Sequence, residues 1–401
     1  MKNSDCKITK KKTHRIINFG KMPIANGFLK KKYFAKEFFF NLSVSFSEKI
    51  SLLQLDDHPK PKMMFNNKYP FFTSSSKFMI SHFKNYANWA KRKFIKKNNN
   101  KIIEIGSNDG TFLKNFNSSN FEHLGFEPSK NVSDLANKNG IKSIPQFFNR
   151  KNLNKAENFL GKTDIIFGAN VVCHIPDLVE FIKTADVLLN ERGKIIFEEP
   201  YLGSMYKKTS YDQIYDEHIF IFSISSISKI FDLFNFELID AIYQPTHGGS
   251  MRYVLQRKIG KKINKKINQL LEYEKKKNIS SLKGALEFKK NCEISREKLL
   301  YKLNKIKKQG NKICGYGATS KSTTILNYCD IGTEFIDCIY DTTPDKIGKF
   351  SPGKHIPIIN YKYFKNKKFQ YAFLFAWNHK KEIEKKEKNF LKEGGKWITH
   401  L

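Results

Sequence analysis

The segment Lys101 to Leu113, KIIEIGSNDGTFL, constrains the fold of this chain more than any other. Lys101 to Ile105 has the β-branched density of a buried parallel strand, Gly106 breaks it, and Asp109 is placed to cap a following helix. Gly106 and Gly110 allow a tight turn and close approach of backbone to a ligand, and Glu104 sets a carboxylate beside them. After about 20 more residues a second strand, HLGFEP, ends in Glu127, where an acid accepts hydrogen bonds from ribose hydroxyls in dinucleotide-binding folds. A strand, turn and helix of this kind needs parallel neighbours joined by right-handed crossovers. The expectation is an α/β chain with a doubly wound sheet and a cofactor beyond the carboxyl ends of its strands.

The phosphate-binding fingerprints G-x-G-x-x-G and the Walker lysine are both missing from this turn. The pattern is E-x-G-x-x-x-G, with an acid where pyrophosphate would be repelled, which argues against a dinucleotide. It resembles motif I of the class I S-adenosylmethionine-dependent methyltransferases, whose cationic sulfonium tolerates nearby carboxylates. That resemblance implies a cofactor set of Glu104, Gly106, Asn108, Asp109, Gly110 and Glu127. An ordinary Gly-containing turn is the alternative, and the spacing of Glu127 weighs against it.

A chain of 401 residues has two or three domains as its prior expectation, and 40% hydrophobic content is enough for packed cores. No apolar run approaches the roughly 20 residues of a membrane span, and the N-terminus lacks the apolar stretch of a signal peptide, so a soluble cytoplasmic protein without membrane partners is expected. Six cysteines, Cys6, Cys173, Cys292, Cys314, Cys329 and Cys338, are scattered without C-x-x-C pairs, as suits reduced thiols. The net charge of +34 comes from lysines spread along the chain beside abundant Asn, Ile and Phe, a bias that AT-rich codons produce. No zinc finger, RNA-binding signature or Arg/aromatic stripe accompanies it, so nucleic acid is not the expected partner, while an anionic small substrate suits such a field.

Residues 1–75 are poorly periodic and form the expected N-terminal module. Residues 76–257 alternate strand and helix, opening with a helix over about 76–97 and continuing through the strands IIEIG, HLGFE, KSIP, TDIIFGAN and GKIIFEEP. The KKNNNK run before the first of these reads as a solvated loop. Residues 258–309 are lysine-rich and apolar at helical intervals, which predicts a long helix or helix pair acting as a connector. Residues 310–401 form a second α/β unit opening with KICGYGATSKSTT.

Several polar groups should gather at the carboxyl edge of the main sheet. Asn170 and His174 follow the strand TDIIFGAN and could face cofactor or substrate, although a histidine at such a junction is more often structural. Glu198, Glu199 and Tyr201 end the next strand, equally readable as a solvated strand end. In SYDQIYDEHIFIFS, Tyr215, Glu217 and His218 bring phenol, carboxylate and imidazole within four positions, a set able to remove a proton and stabilise the resulting charge. A polar turn at a domain edge is the competing reading. In QPTHGGSMRYVL, His247, Gly248, Gly249, Ser250 and Arg252 could hold an anionic or polyhydroxylated ligand, or simply begin a strand.

Taken together, INFGKMPIANGFL, EIGSNDGTFL, GFEPS, YDQIYDEHIFIFS, HGGSMR and GYGATSKSTT resemble the sugar C-methyltransferases that act on nucleotide-linked keto-deoxysugars, over almost the whole chain. The resemblance implies a class I methyltransferase Rossmann-like sheet, a small N-terminal module and a second Rossmann-like C-terminal domain. It implies His218 as the base that forms an enolate, with Tyr215 and Glu217 orienting it or stabilising the enolate oxygen. Asn170 and His174 join the cofactor set, and Tyr69, Glu199, His247, Gly249, Ser250, Arg252, Gly317 and Lys321 are expected to hold the sugar nucleotide. Relatives carry paired cysteines for a structural zinc in the N-terminal module. This chain keeps only Cys6 there, with residues such as Ser47 and Ile50 at the second pair, so no metal is expected. An O- or N-methyltransferase keeps the same cofactor motif without an enolising base, and an RNA methyltransferase would explain the charge. The expected assembly is a monomer or small homo-oligomer.

Overall fold

The computed structural model describes residues 4–67, 69–95, 98–260, 264–366 and 369–401. Lys96 and Lys97 of the KKNNNK run, and residues 261–263 of the lysine-rich stretch, lie outside them.

The largest sheet has seven strands, in the order Phe236–Gln244, Ser250–Arg257, Leu189–Pro200, Thr163–Ala169, Asn100–Ile105, Phe121–Phe126 and Ser143–Ile144. The last five run parallel. Ile102, Ile103 and Ile105 are buried on both faces of the central strand, which is why that segment reads as a continuous apolar run. The expected doubly wound parallel sheet needs one correction, because Ser250–Arg257 runs antiparallel to both of its neighbours, Phe236–Gln244 and Leu189–Pro200. Only residues 245–249 join it to Phe236–Gln244, too few for a parallel crossover. From Asn100–Ile105 the chain steps outward to Phe121–Phe126 and then returns to the other side of that strand at Thr163–Ala169. This reversal opens a crevice between the turns that carry Gly106 and Asn170.

A second sheet is antiparallel, with strands His14–Pro23, Phe39–Ser47 and Leu52–Leu55, and its fourth strand is Phe220–Ile221. Leu53 pairs with Ile221, Gln54 pairs with Phe220, and the Leu55 amide donates to the Ile219 carbonyl at 2.8 Å. The segment directly after His218 is therefore built into the N-terminal sheet. A third sheet is wholly parallel, in the order Ile358–Asn360, Ile339–Asp341, Ile313–Tyr316, Tyr371–Leu374 and Lys396–Ile398.

The lysine-rich stretch forms a helix pair, Lys265–Lys276 and Leu282–Lys308. It is more than a spacer. Phe288, Leu299 and Leu303 of the longer helix share one apolar core with Ile16 and Phe19 of the N-terminal sheet and Ile313 and Ile325 of the C-terminal unit. In the shorter helix, buried Glu274 accepts the amides of Ile224 and Ser225, each at 2.8 Å, and the hydroxyl of Tyr201 at 2.8 Å. This carboxylate thus satisfies free N–H groups at the start of the helix Ile224–Asp232.

In the N-terminal module, Cys6 is fully buried and its Sγ accepts the Thr9 amide at 3.4 Å, while Ile50 packs in the same apolar cluster. Ile50 has no ligand atom, and Cys6 is the one cysteine of this module. Polar cohesion comes from Asp56, whose carboxylate accepts hydroxyls from Ser4 (2.5 Å), Ser45 (2.6 Å) and Ser43 (2.7 Å) and pairs with Arg15 at 3.2 Å. Burial alone would raise its pKa, but these hydrogen bonds and the Arg15 charge outweigh burial and hold it low. All six cysteines are buried free thiols, and no helix among the described residues is long and apolar enough to cross a membrane.

Candidate active site

A cavity of about 1070 Å³ lies beyond the carboxyl ends of the parallel strands, with walls from all three parts of the molecule. Gly106, Glu104 and Glu127 form its floor on the nucleotide side. Gly106 has φ +64°, and a Cβ there would lie 2.7 Å from Val171 Cγ2, so the turn requires glycine. Gly110 (φ +78°) lies outside the wall, and a Cβ there would press on Ile141 at 3.0 Å; its part is to shape the turn.

Glu127 is held by the Asn108 amide (3.1 Å) and the Ser129 amide (2.8 Å). Burial raises its pKa. Glu104 is pushed well above the usual carboxylate range by burial, and further by the Asp109 and Glu127 charges. Its Oε2 is buried without a partner, and so is Asn170 Oδ1 across the crevice. An unpartnered carboxyl oxygen and an unpartnered amide oxygen at a glycine turn suit a ligand carrying hydrogen-bond donors and positive charge, as S-adenosylmethionine does.

Two of the expected cofactor residues act differently. The Asn108 side chain accepts the Thr73 amide at 2.9 Å and donates to the Phe71 carbonyl at 3.2 Å, while Asp109 accepts the Ser74 amide at 2.8 Å and the Thr111 hydroxyl at 2.6 Å. Their side chains fasten the aromatic strap of residues 65–75 over the cavity. Asn131 adds a third tie, donating to the Tyr69 carbonyl at 3.0 Å. Tyr69 itself lines the cavity.

Opposite the glycine turn stands the Tyr215, Glu217 and His218 group. His218 Nδ1 lies 2.7 Å from the Gln213 carbonyl, which can only accept, so Nδ1 carries the proton. The bare Nε2 therefore receives the Tyr215 hydroxyl at 2.9 Å. Burial, then the neighbouring His174, keeps the imidazole pKa well below its usual value, so it stays neutral and able to take a proton. Tyr215 and Glu217 line the cavity, whereas His218 lies one hydrogen bond behind. His174 stacks on His218 with centroids 5.3 Å apart and lies 5.6 Å from the Phe65 ring. Its Nε2 is buried and unpartnered, and burial lowers its pKa to about 3.

The expected sugar-nucleotide residues divide. His247, Ser250 and Lys321 line the cavity. Lys321 Nζ is buried without a hydrogen-bond partner, 5.2 Å from the Trp377 ring centroid. Gly249, Glu199, Arg252 and Gly317 do not line it. Gly249 abuts Ser204, to which a Cβ would come within 2.4 Å. Glu199 accepts the Val171 and Val172 amides at 3.0 and 2.7 Å, bracing the loop that carries Asn170 and His174, and burial raises its pKa to about 7. Arg252 points into the protein. Its guanidinium lies over Tyr86 and Trp89 (3.9 and 4.4 Å) and is paired with Glu198 at 2.5 Å, while Glu198 also meets His82 at 2.6 Å. Gly317 (φ +84°) turns the chain into the helix Ser320–Tyr328.

Asn26, Phe65 and Lys346 also line the cavity and were not singled out in the sequence. They arrive from distant segments. Asn26 lies within the quoted phrase INFGKMPIANGFL, but nothing local marks its side chain as facing a site over 190 residues away.

The glycine turn, the paired acids and the sheet order define a class I, S-adenosylmethionine-dependent methyltransferase. Three family models cover successive parts of the chain: a putative zinc binding domain over residues 6–65, a methyltransferase domain over 79–241 and a C-methyltransferase C-terminal domain over 245–401. The C-methyltransferase NovU of Streptomyces niveus is 27% identical over 388 residues, covering 96% of this chain and 92% of that protein. The chain is thus similar to C-methyltransferases along almost its whole length. Among solved structures, the PH0226 protein of Pyrococcus horikoshii OT3 is similar at 13% identity, covering 47% of this chain and 95% of that one, with a TM-score of 0.38. An S-adenosylmethionine-dependent methyltransferase of Clostridium acetobutylicum is similar at 13% identity, over 44% and 92% of the two chains, with a TM-score of 0.35.

Proposed function

We propose that this enzyme methylates a ring carbon beside the ketone of a nucleotide-linked keto-deoxysugar. The observation that carries the reading is the hydrogen-bonded Tyr215–His218 pair, with its imidazole tautomer set by the Gln213 carbonyl. A ketone acidifies the neighbouring C–H, and carbon methylation requires that proton to be taken up. His218 is the final holder of the proton, which reaches it through the Tyr215 hydroxyl in the cavity wall. The enolate carbon left behind forms a bond to the donor methyl, and the electron pair of the broken S–CH3 bond stays on sulfur. S-adenosylmethionine supplies that electrophilic methyl when bound. Glu104, Glu127 and Asn170 hold the donor, and Glu217 and His174 face the developing enolate. Transfer to oxygen or nitrogen would need no base to remove a C–H proton.

Support for the nucleotide half is that Ser320, Lys321 and Lys346 all line the C-terminal wall of the cavity, with the buried Lys321 Nζ unpartnered, a setting for phosphate oxygens. Mass spectrometry of purified protein with S-adenosylmethionine and a panel of nucleotide-4-keto-deoxysugars tests the reading. The expected product is one methyl heavier, with the new methyl bonded to a ring carbon in its carbon–proton NMR correlations. A methyl found on oxygen or nitrogen, or no gain across the panel, would refute it.

A further inference from the structure

We propose that Asn26, reaching the site from the N-terminal module, is a positioning residue that holds the Glu217 carboxyl in place beside Tyr215. Asn26 Nδ2 donates to Glu217 Oε1 at 2.8 Å. The amide rides on a turn clamped from two sides. The Gly27 amide closes the turn on the Ile24 carbonyl at 2.9 Å, and the Ala25 amide donates to both oxygens of Asp216, at 3.2 and 3.3 Å. From the C-terminal unit, the Thr323 hydroxyl donates to the Ala25 carbonyl at 2.9 Å, and Thr324 donates to the Ile214 carbonyl at 2.8 Å. The Asn26 side chain therefore starts from a backbone fixed by both flanking parts of the molecule, and ends on the wall of the cavity.

The electrostatics explain why this donor is an amide. The ionisable groups around Glu217 include the adjacent Asp216 and His218, with Tyr215, Tyr69 and Cys173, and none of these is cationic, since burial keeps His218 neutral. Burial raises the Glu217 pKa to about 7, and the Asn26 hydrogen bond opposes that rise. A neutral donor orients one oxygen and leaves the carboxyl able to titrate near neutrality. A lysine there would fix it as a carboxylate.

The kinetic consequence rests on the carbon-methylation reading, whereas the contact can be read without any acceptor. In protein labelled with carbon-13 at the glutamate carboxyls, the Glu217 resonance is assigned by its loss in Glu217→Gln and titrated in wild type, Asn26→Ala and the shape-preserving Asn26→Leu. Loss of a hydrogen bond to the charged form raises the pKa, so an upward shift of about one unit is expected in both variants. In turnover, kcat should fall roughly tenfold with an unchanged KM for the methyl donor, and Asn26→Ala should add little once Glu217 is Gln. A Glu217 titration that does not move in a folded variant, or fully additive losses in the double variant, would overturn the proposal. A shifted titration with no methylation of any keto-sugar would leave Asn26 in place and remove the acceptor assignment instead.

Discussion

At the scale of single residues, side chains that share one motif and one face of a strand end in different surroundings. In HGGSMR, Ser250 faces the cavity while Arg252, two positions along the same strand, is 4% exposed and paired with Glu198 between aromatic rings. Residue type and position in the strand made both candidate ligands. Only the partners that assemble from Tyr86, Trp89 and Glu198 decide that Arg252 is internal. Removing its charge should strand a buried carboxylate, so Arg252→Ala is expected to lower the unfolding free energy by about 3 kcal/mol in a urea titration, even with His82 still paired to Glu198. A loss below about 0.5 kcal/mol would mean that the pair contributes little.

At the scale of elements, the glycine turn serves both as cofactor floor and as anchor for the cavity's cover. The backbone of Asn108 meets Glu127, while the side chains of Asn108 and Asp109 tie down the strap at Thr73 and Ser74. The turn was legible in the sequence because its glycines and acids are local. Its second task was not, since Ser74 lies 35 residues away and the strap has no periodicity of its own. Loosening the tie should weaken closure over the methyl donor. Asp109→Ala is expected to raise the Kd for S-adenosylmethionine roughly tenfold by calorimetry, about the worth of a charge-assisted hydrogen bond, while the protein stays folded. An unchanged Kd would separate the strap from cofactor binding.

At the scale of the whole molecule, the sequence divides into modules more cleanly than the structure does. The pattern of apolar runs located the five parallel strands of the main sheet but not the three N-terminal strands between His14 and Leu55, and the lysine-rich stretch was recognisable as helical. Neither reveals that residues just past His218 form an edge strand of the N-terminal sheet, or that His400 and Trp377 of the C-terminal unit meet the buried Asp212 carboxylate at 3.1 and 2.6 Å. The segment from Asp212 to Ile221 is therefore held by the N-terminal sheet on one side and the C-terminal unit on the other. That double grip fixes the backbone carbonyl of Gln213, which sets the His218 tautomer. In the proposed mechanism carbon methylation depends on this imidazole, and solvent exchange of the acceptor's α-proton in deuterium oxide, followed by NMR, tests it most directly. Wild-type protein should catalyse the exchange, and His218→Asn should slow both exchange and methyl transfer by about a hundredfold or more. Exchange that continues at the wild-type rate in His218→Asn would contradict the account.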